Sequence, residues 1–94
     1  MRLKDKVAIV TGGGRGTGKA ISMAFASEGA IVVIAARTPS RLDETADKIK
    51  STGGRARAVQ TDVSDEKQVQ RLVAETVHDY GNVDILVNNS GIGG

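Results

Sequence analysis

Short apolar runs alternate with amphipathic stretches along the whole chain. Lys6–Thr11 (KVAIVT) is apolar and rich in β-branched residues, the composition of a short strand. After a glycine-rich loop, Ile21, Ala24 and Phe25 recur at helical spacing between Thr17 and Glu28, and Gly29 supplies a stop. Ala30–Ala36 (AIVVIAA) is apolar at every position, as expected of a strand covered on both faces. A second helix is predicted from Thr38-Pro39, with Thr as cap and Pro in the first turn. Its inner stripe is Leu42, Thr45, Ala46 and Ile49, and Gly53-Gly54 ends it. Arg55–Thr61 reads as a third strand. Ser64 or Asp65 caps a third helix with the stripe Val69, Leu72, Val73, Thr76 and Val77, closed by Gly81. Val83–Asn88 (VDILVN) is the fourth strand.

The order β-α-β-α-β-α-β calls for a parallel sheet with right-handed crossovers, so the fold class is α/β. Without internal repeats, low-complexity stretches or linkers, the 94 residues read as one unit that stops in mid-pattern. The chain has no cysteine, which excludes a disulfide framework and a thiolate metal site and fits a cytoplasmic setting. A net charge of +2, with one Phe and one Tyr, gives neither the charge nor the stacking surface that nucleic acid needs. The longest apolar run, Ala30–Ala36, is far too short for a membrane span, and the charged start of the chain lacks a signal-peptide cleavage pattern.

Candidate chemistry concentrates in Thr11-Gly12-Gly13-Gly14-Arg15-Gly16-Thr17-Gly18. A phosphate needs backbone N–H groups aimed at it, and a loop that leaves a strand and opens a helix adds the partial positive charge of the helix end. Gly12 permits the turn, Gly16 a close approach to a pyrophosphate, and Gly18 close packing of the helix on the sheet. The dinucleotide pattern G-x-G-x-x-G fails, since from Gly12 it ends on Thr17 and from Gly14 on Lys19. A P-loop fits Gly13, Gly18 and Lys19 but puts Ala20 where a hydroxyl should ligate magnesium.

The spacing that fits is T-G-x-x-x-G-x-G, at Thr11, Gly12, Gly16 and Gly18, and here the chain resembles the short-chain dehydrogenase/reductase family. Asp62-Val63 matches the family's adenine-contacting Asp and its neighbour. Asn88-Asn89-Ser90-Gly91 resembles the family's N-N-A-G, with Ser90 departing from Ala. The resemblance covers essentially the whole chain, as the first part of a family member. It implies a Rossmann-type doubly wound sheet, truncated, in strand order 3-2-1-4, with the first two helices on one face and the third on the other. It also implies cofactor contacts from Thr11, Gly12, Gly14, Arg15, Gly16, Thr17, Gly18, Arg37, Asp62, Val63, Asn89 and Gly91. The fourth strand is then an edge, with Val83, Ile85, Leu86 and Val87 exposing apolar surface.

An acidic residue roughly 20 residues past the glycine motif normally binds the ribose 2′-hydroxyl of NAD. Here the second strand ends Ala35-Ala36-Arg37, and the next carboxylate is Asp43. Arg37 offers a forked, charge-assisted partner to a 2′-phosphate, and Arg15 approaches from the loop. Basic residues at these two positions resemble the NADP(H)-preferring pattern of the family, so NADP(H) is expected over NAD(H).

The family's catalytic Tyr, the Lys four residues later and the orienting Ser have no match. The single tyrosine, Tyr80, is followed four residues on by Asp84. No catalytic and no metal-binding residue is assigned; His78 reads as a solvated helix-end residue. The expected whole is an oxidoreductase for a small-molecule carbonyl or alcohol substrate, homo-oligomeric at full length, with this chain alone inactive. The alternative is a stand-alone, non-catalytic nucleotide-binding module.

Overall fold

The computed structural model of the chain describes residues 2–12, 16–37 and 39–88; side chains of residues 39–42 lie outside the description. In chain order the elements are β1 (Val7–Thr11), α1 (Gly16–Ser27), β2 (Ile31–Ala36), α2 (Pro39–Ser51), β3 (Arg55–Gln60), α3 (Glu66–Tyr80) and β4 (Ile85–Asn88). All pairings are parallel, and the four strands run in the order β3-β2-β1-β4. This is the Rossmann-like arrangement expected from the sequence.

The two central strands explain their own composition. Every residue of β1 is buried, and β2 is buried from Val32 to Ala35, because helices cover both sides. Val10, Val32 and Ile34 face Ala46 and Ile49 of α2, with Ile21, Phe25 and Ala26 of α1 packed alongside. Ile9, Val33 and Ala35 face the other way, onto Leu72, Val73 and Tyr80 of α3. The register sets Val7 beside Ile31 and Thr11 beside Ala35, so the carboxyl ends of β1 and β2 finish level.

Helix limits follow their caps. Asp65, the second of the two predicted caps, accepts from Lys67 N at 3.0 Å, and Gly81 N donates to Val77 O at 2.7 Å. Three details depart from the sequence reading. The buried positions of α1 are Gly18 and Ser22, while Ala24 is exposed. Gly18 and Ser22 take the innermost positions of the helix, flanked by half-buried Ile21 and Phe25, and Ser22 is satisfied internally by donating to Gly18 O at 2.8 Å. Val77, expected inside, is 42% exposed, because Thr76 takes the inward position with its hydroxyl on Leu72 O at 2.7 Å. Strand β4 starts at Ile85 rather than Val83, since Asp84 is used as a clasp. Its carboxylate accepts from Val7 N at 2.8 Å and its own N–H donates to Val7 O at 2.9 Å.

At the edge, the side chains of β4 alternate between half-buried and exposed. Of the four residues expected to expose apolar surface, Leu86 does so strongly, at 60%, while Val83, Ile85 and Val87 are half-buried. Val83 and Val87 pack against the two cores. Leu86 pairs in register with Ile9 on an edge whose outer side presents backbone donors and acceptors. We expect the 94-residue chain to self-associate at about 100 μM, in the range where such edges pair. Leu86→Lys should shift it to monomer with stability changed by less than about 0.5 kcal/mol. Analytical ultracentrifugation decides it, and a wild-type chain that stays monomeric throughout would refute the expectation.

Candidate functional site

The strand order changes direction at β1, which has β2 on one side and β4 on the other. Open α/β sheets bind ligands in the crevice outside the strand carboxyl ends at such a point. Here those ends are tied into one rim. Gly12 N donates to Ala35 O at 2.7 Å, joining β1 to β2. Thr61 N donates to Ala36 O at 2.8 Å, joining β2 to β3. The Thr11 hydroxyl lies 3.2 Å from both Val87 O and Asn88 Oδ1, joining β1 to β4.

The chain leaves β1 through Gly12, whose φ of 70° lies in the left-handed region, and enters α1 through Gly16, with φ 58°. A Cβ at Gly16 would meet nothing within 4 Å, so one side of this backbone lies open, yet any L side chain there would be strained. Thr17 is exposed beside it, whereas Gly18 is buried against the sheet. The first turn of α1 carries no acidic side chain, so its N–H groups and partial positive charge are not answered by a carboxylate of that turn. Open backbone, left-handed glycines and a first helical turn without acidic side chains suit an anionic phosphate. Gly14, Arg15, Asn89 and Gly91 lie outside the described residues.

Arg37 stands exposed just past β2. Its carbonyl accepts from the Gln60 side-chain amide at 3.2 Å, a tie from the last residue of β3. Asp62 and Val63 are half-buried beyond β3, on the same rim. Asp62 Oδ1 accepts from the Ser64 hydroxyl at 2.6 Å and from Ser64 N at 3.0 Å. These two donors, with a smaller pull from the Arg37 charge, hold the Asp62 carboxyl below the usual carboxylate value, against partial desolvation. Asp62 is therefore a charged acceptor whose orientation is set locally.

Tyr80 does not belong to this rim. It packs against the Ile9–Val33–Leu72 core and lines a cleft with Ile31 and Arg55, the first residues of β2 and β3. That places it at the opposite end of the sheet. His78 is exposed and contacts Asp79 at 3.2 Å, away from the site. Among the described residues no group of His, Cys, Asp and Glu side chains could hold a metal ion, and no helix is long and apolar enough to cross a membrane.

The glutamines Gln60 and Gln68 were not singled out from sequence. Gln68 Oε1 accepts from Asp62 N at 2.8 Å. Its one legible signal is the Asp65-x-x-Gln68 spacing of a capping box, which points to a helix cap rather than to a site.

Residues 6–94 match the family model for short chain dehydrogenase. A short-chain dehydrogenase/reductase homolog of Bacillus subtilis is 47% identical over 93 residues, which are 98% of this chain and 85% of that protein. The crystal structure of hydroxysteroid dehydrogenase from Escherichia coli superposes with a TM-score of 0.94 at 41% identity, over 99% of this chain and 40% of that one. A metagenomic short-chain oxidoreductase, solved in complex with NADP, gives 0.91 at 35% identity, over 95% and 40%. Against other curated relatives the chain spans about a third of their length. A Rossmann-like α/β sheet with left-handed glycines where its switch-point strand ends and α1 begins defines a class of nucleotide-binding folds. Within it, the chain belongs to the short-chain dehydrogenase/reductase family.

Proposed function

We propose that the chain is the NADP(H)-binding portion of a short-chain dehydrogenase/reductase that interconverts a carbonyl and an alcohol. The 94 residues are then the amino-terminal part of a single dinucleotide-binding domain. The observation that carries the cofactor choice is Arg37 at the end of β2, exposed and tied to β3, where a NAD-binding chain would place a carboxylate. The NADP complex of a relative 35% identical supports the same choice.

In this reading Thr11, Gly12, Gly14, Gly16, Thr17 and Gly18 hold the pyrophosphate through backbone N–H groups and the α1 end. Arg15 and Arg37 take the 2′-phosphate, Asp62 and Val63 the adenine, and Asn89 and Gly91 complete the set of cofactor contacts. The cofactor, when bound, supplies or accepts the hydride. The chain's own residues bind and orient it, and no described residue matches the family's proton donor. The chain alone is therefore inactive, and the full-length relative is a cytoplasmic homo-oligomer acting on a small molecule.

The test is a thermal-shift titration. NADPH at about 100 times its Kd should raise stability by about 2.7 kcal/mol, and NADH should need a higher concentration for the same shift. No shift with either nucleotide would defeat the binding role. A stand-alone nucleotide-binding module is the second reading, favoured by the Bacillus subtilis homolog whose length the chain nearly fills. A reading frame that continues into a Tyr-x-x-x-Lys segment would rule it out.

A further inference from the structure

We propose that Gln68 is a positioning residue for the adenine end of the cofactor, acting through the turn that carries Asp62 and Val63; this rests on the adenine-side reading of those two residues given above.

A glutamine three residues after a helix cap ordinarily folds back onto the cap residue's own N–H. Asp65 caps α3, and Gln68 is that glutamine, but Asp65 N is already committed to Asp62 O at 3.0 Å. The Gln68 side chain instead reaches past the cap. Its Oε1 accepts from Asp62 N at 2.8 Å, while its Nε2 donates to Asp65 Oδ2 at 3.3 Å. Gln68 N donates to Asp65 O at 3.0 Å, which fixes the start of the side chain as well. One half-buried amide thus clamps both ends of Asp62–Asp65, with donor and acceptor each used in the only sense their chemistry allows.

The clamp constrains Asp62 from its backbone side, and Ser64 constrains its carboxylate from the other. Gln68 thus fixes the backbone of Asp62 and Ser64 orients its carboxylate, and Val63 is carried in the same turn. A capping role alone would leave Asp62 N to water. The bond to Asp62 is the part of the network that the helix does not need.

The experiment measures binding to the whole chain by calorimetry, with NADPH and with adenosine 2′,5′-bisphosphate, alongside hydrogen exchange at the Asp62 amide. Gln68→Ala should weaken both ligands by the same factor, about fivefold to tenfold, because the turn that the clamp holds in the free protein must then be ordered on binding. The Asp62 amide should exchange faster in the free protein. Gln68→Met keeps length and helix propensity without the amide oxygen and N–H groups, and should show the same losses if the alanine variant folds poorly. Asp62→Ala separates the two ideas. If it leaves both affinities unchanged, the adenine reading falls and this proposal with it. If it weakens both while Gln68→Ala and Gln68→Met do not, the clamp alone is overturned. In the double variant the losses should not multiply, and full multiplication would also overturn it, since independent residues give independent factors.

Discussion

Replacing Arg37 by glutamate is expected to weaken NADPH binding by about 100-fold or more while changing NADH binding by no more than a few-fold. The size follows from what a 2′-phosphate adds. It brings close to two negative charges and three acceptor oxygens, and a charge-assisted bond to it contributes about 1.5–3 kcal/mol. Charge reversal removes that bond and sets a carboxylate against the phosphate, so the loss exceeds that of Arg37→Ala, expected at about tenfold. NADH has only a hydroxyl there, which a carboxylate accepts from readily. Because Arg37 is exposed, the gap between the two cofactors should also narrow as salt rises. Paired titrations of both nucleotides at two ionic strengths settle it. Equal losses for NADPH and NADH would show that Arg37 is a solvated strand-end charge.

The position of Arg37 at a strand end is legible from sequence because parallel sheets advertise their strands. β2 is apolar at every position because both of its faces are covered, so its end, and hence Arg37, was legible as the place where the apolar run stops. Asp62 was legible differently, as the carboxylate between the third strand, which opens after Gly53-Gly54, and the caps of the third helix. Three kinds of detail were not. Ser22 is fully buried, but a hydroxyl reads as polar until its bond to Gly18 O is known. Asp84 sits inside an apolar run and passed for strand, whereas its carboxylate closes β4 onto Val7. Gln68 carries the pattern of a cap, and its reach to Asp62 depends on Asp65 N having another partner, a tertiary fact with no local signature. In each case side-chain hydrogen bonding overrode a polarity pattern that was otherwise sound.

The largest loss of stability is expected from Ile34→Ala. Ile34 is fully buried in β2, between the α1 and α2 side chains and the rest of the sheet, three residues before Arg37. Removing its side-chain carbons loses their transfer energy and leaves a cavity, together about 2–5 kcal/mol. A 94-residue chain is typically stable by only about 5 to 14 kcal/mol. Each kcal/mol shifts the midpoint of a domain this size by about 4–8 °C, so a loss near 3 kcal/mol lowers Tm by about 12–24 °C. Val77→Ala is the control, because Val77 is substantially exposed on the outside of α3 and its truncation should stay within about 0.5 kcal/mol. Thermal melts by circular dichroism compare the two. If both variants melt alike, the assignment of an inner and an outer face to these elements is wrong. Since β2 also ends at the rim, saturating NADPH should restore part of the Ile34→Ala loss by binding only the folded state. Restoration that is absent in Ile34→Ala but present in the wild type would mean the cavity has displaced the carboxyl end of β2, and with it Arg37.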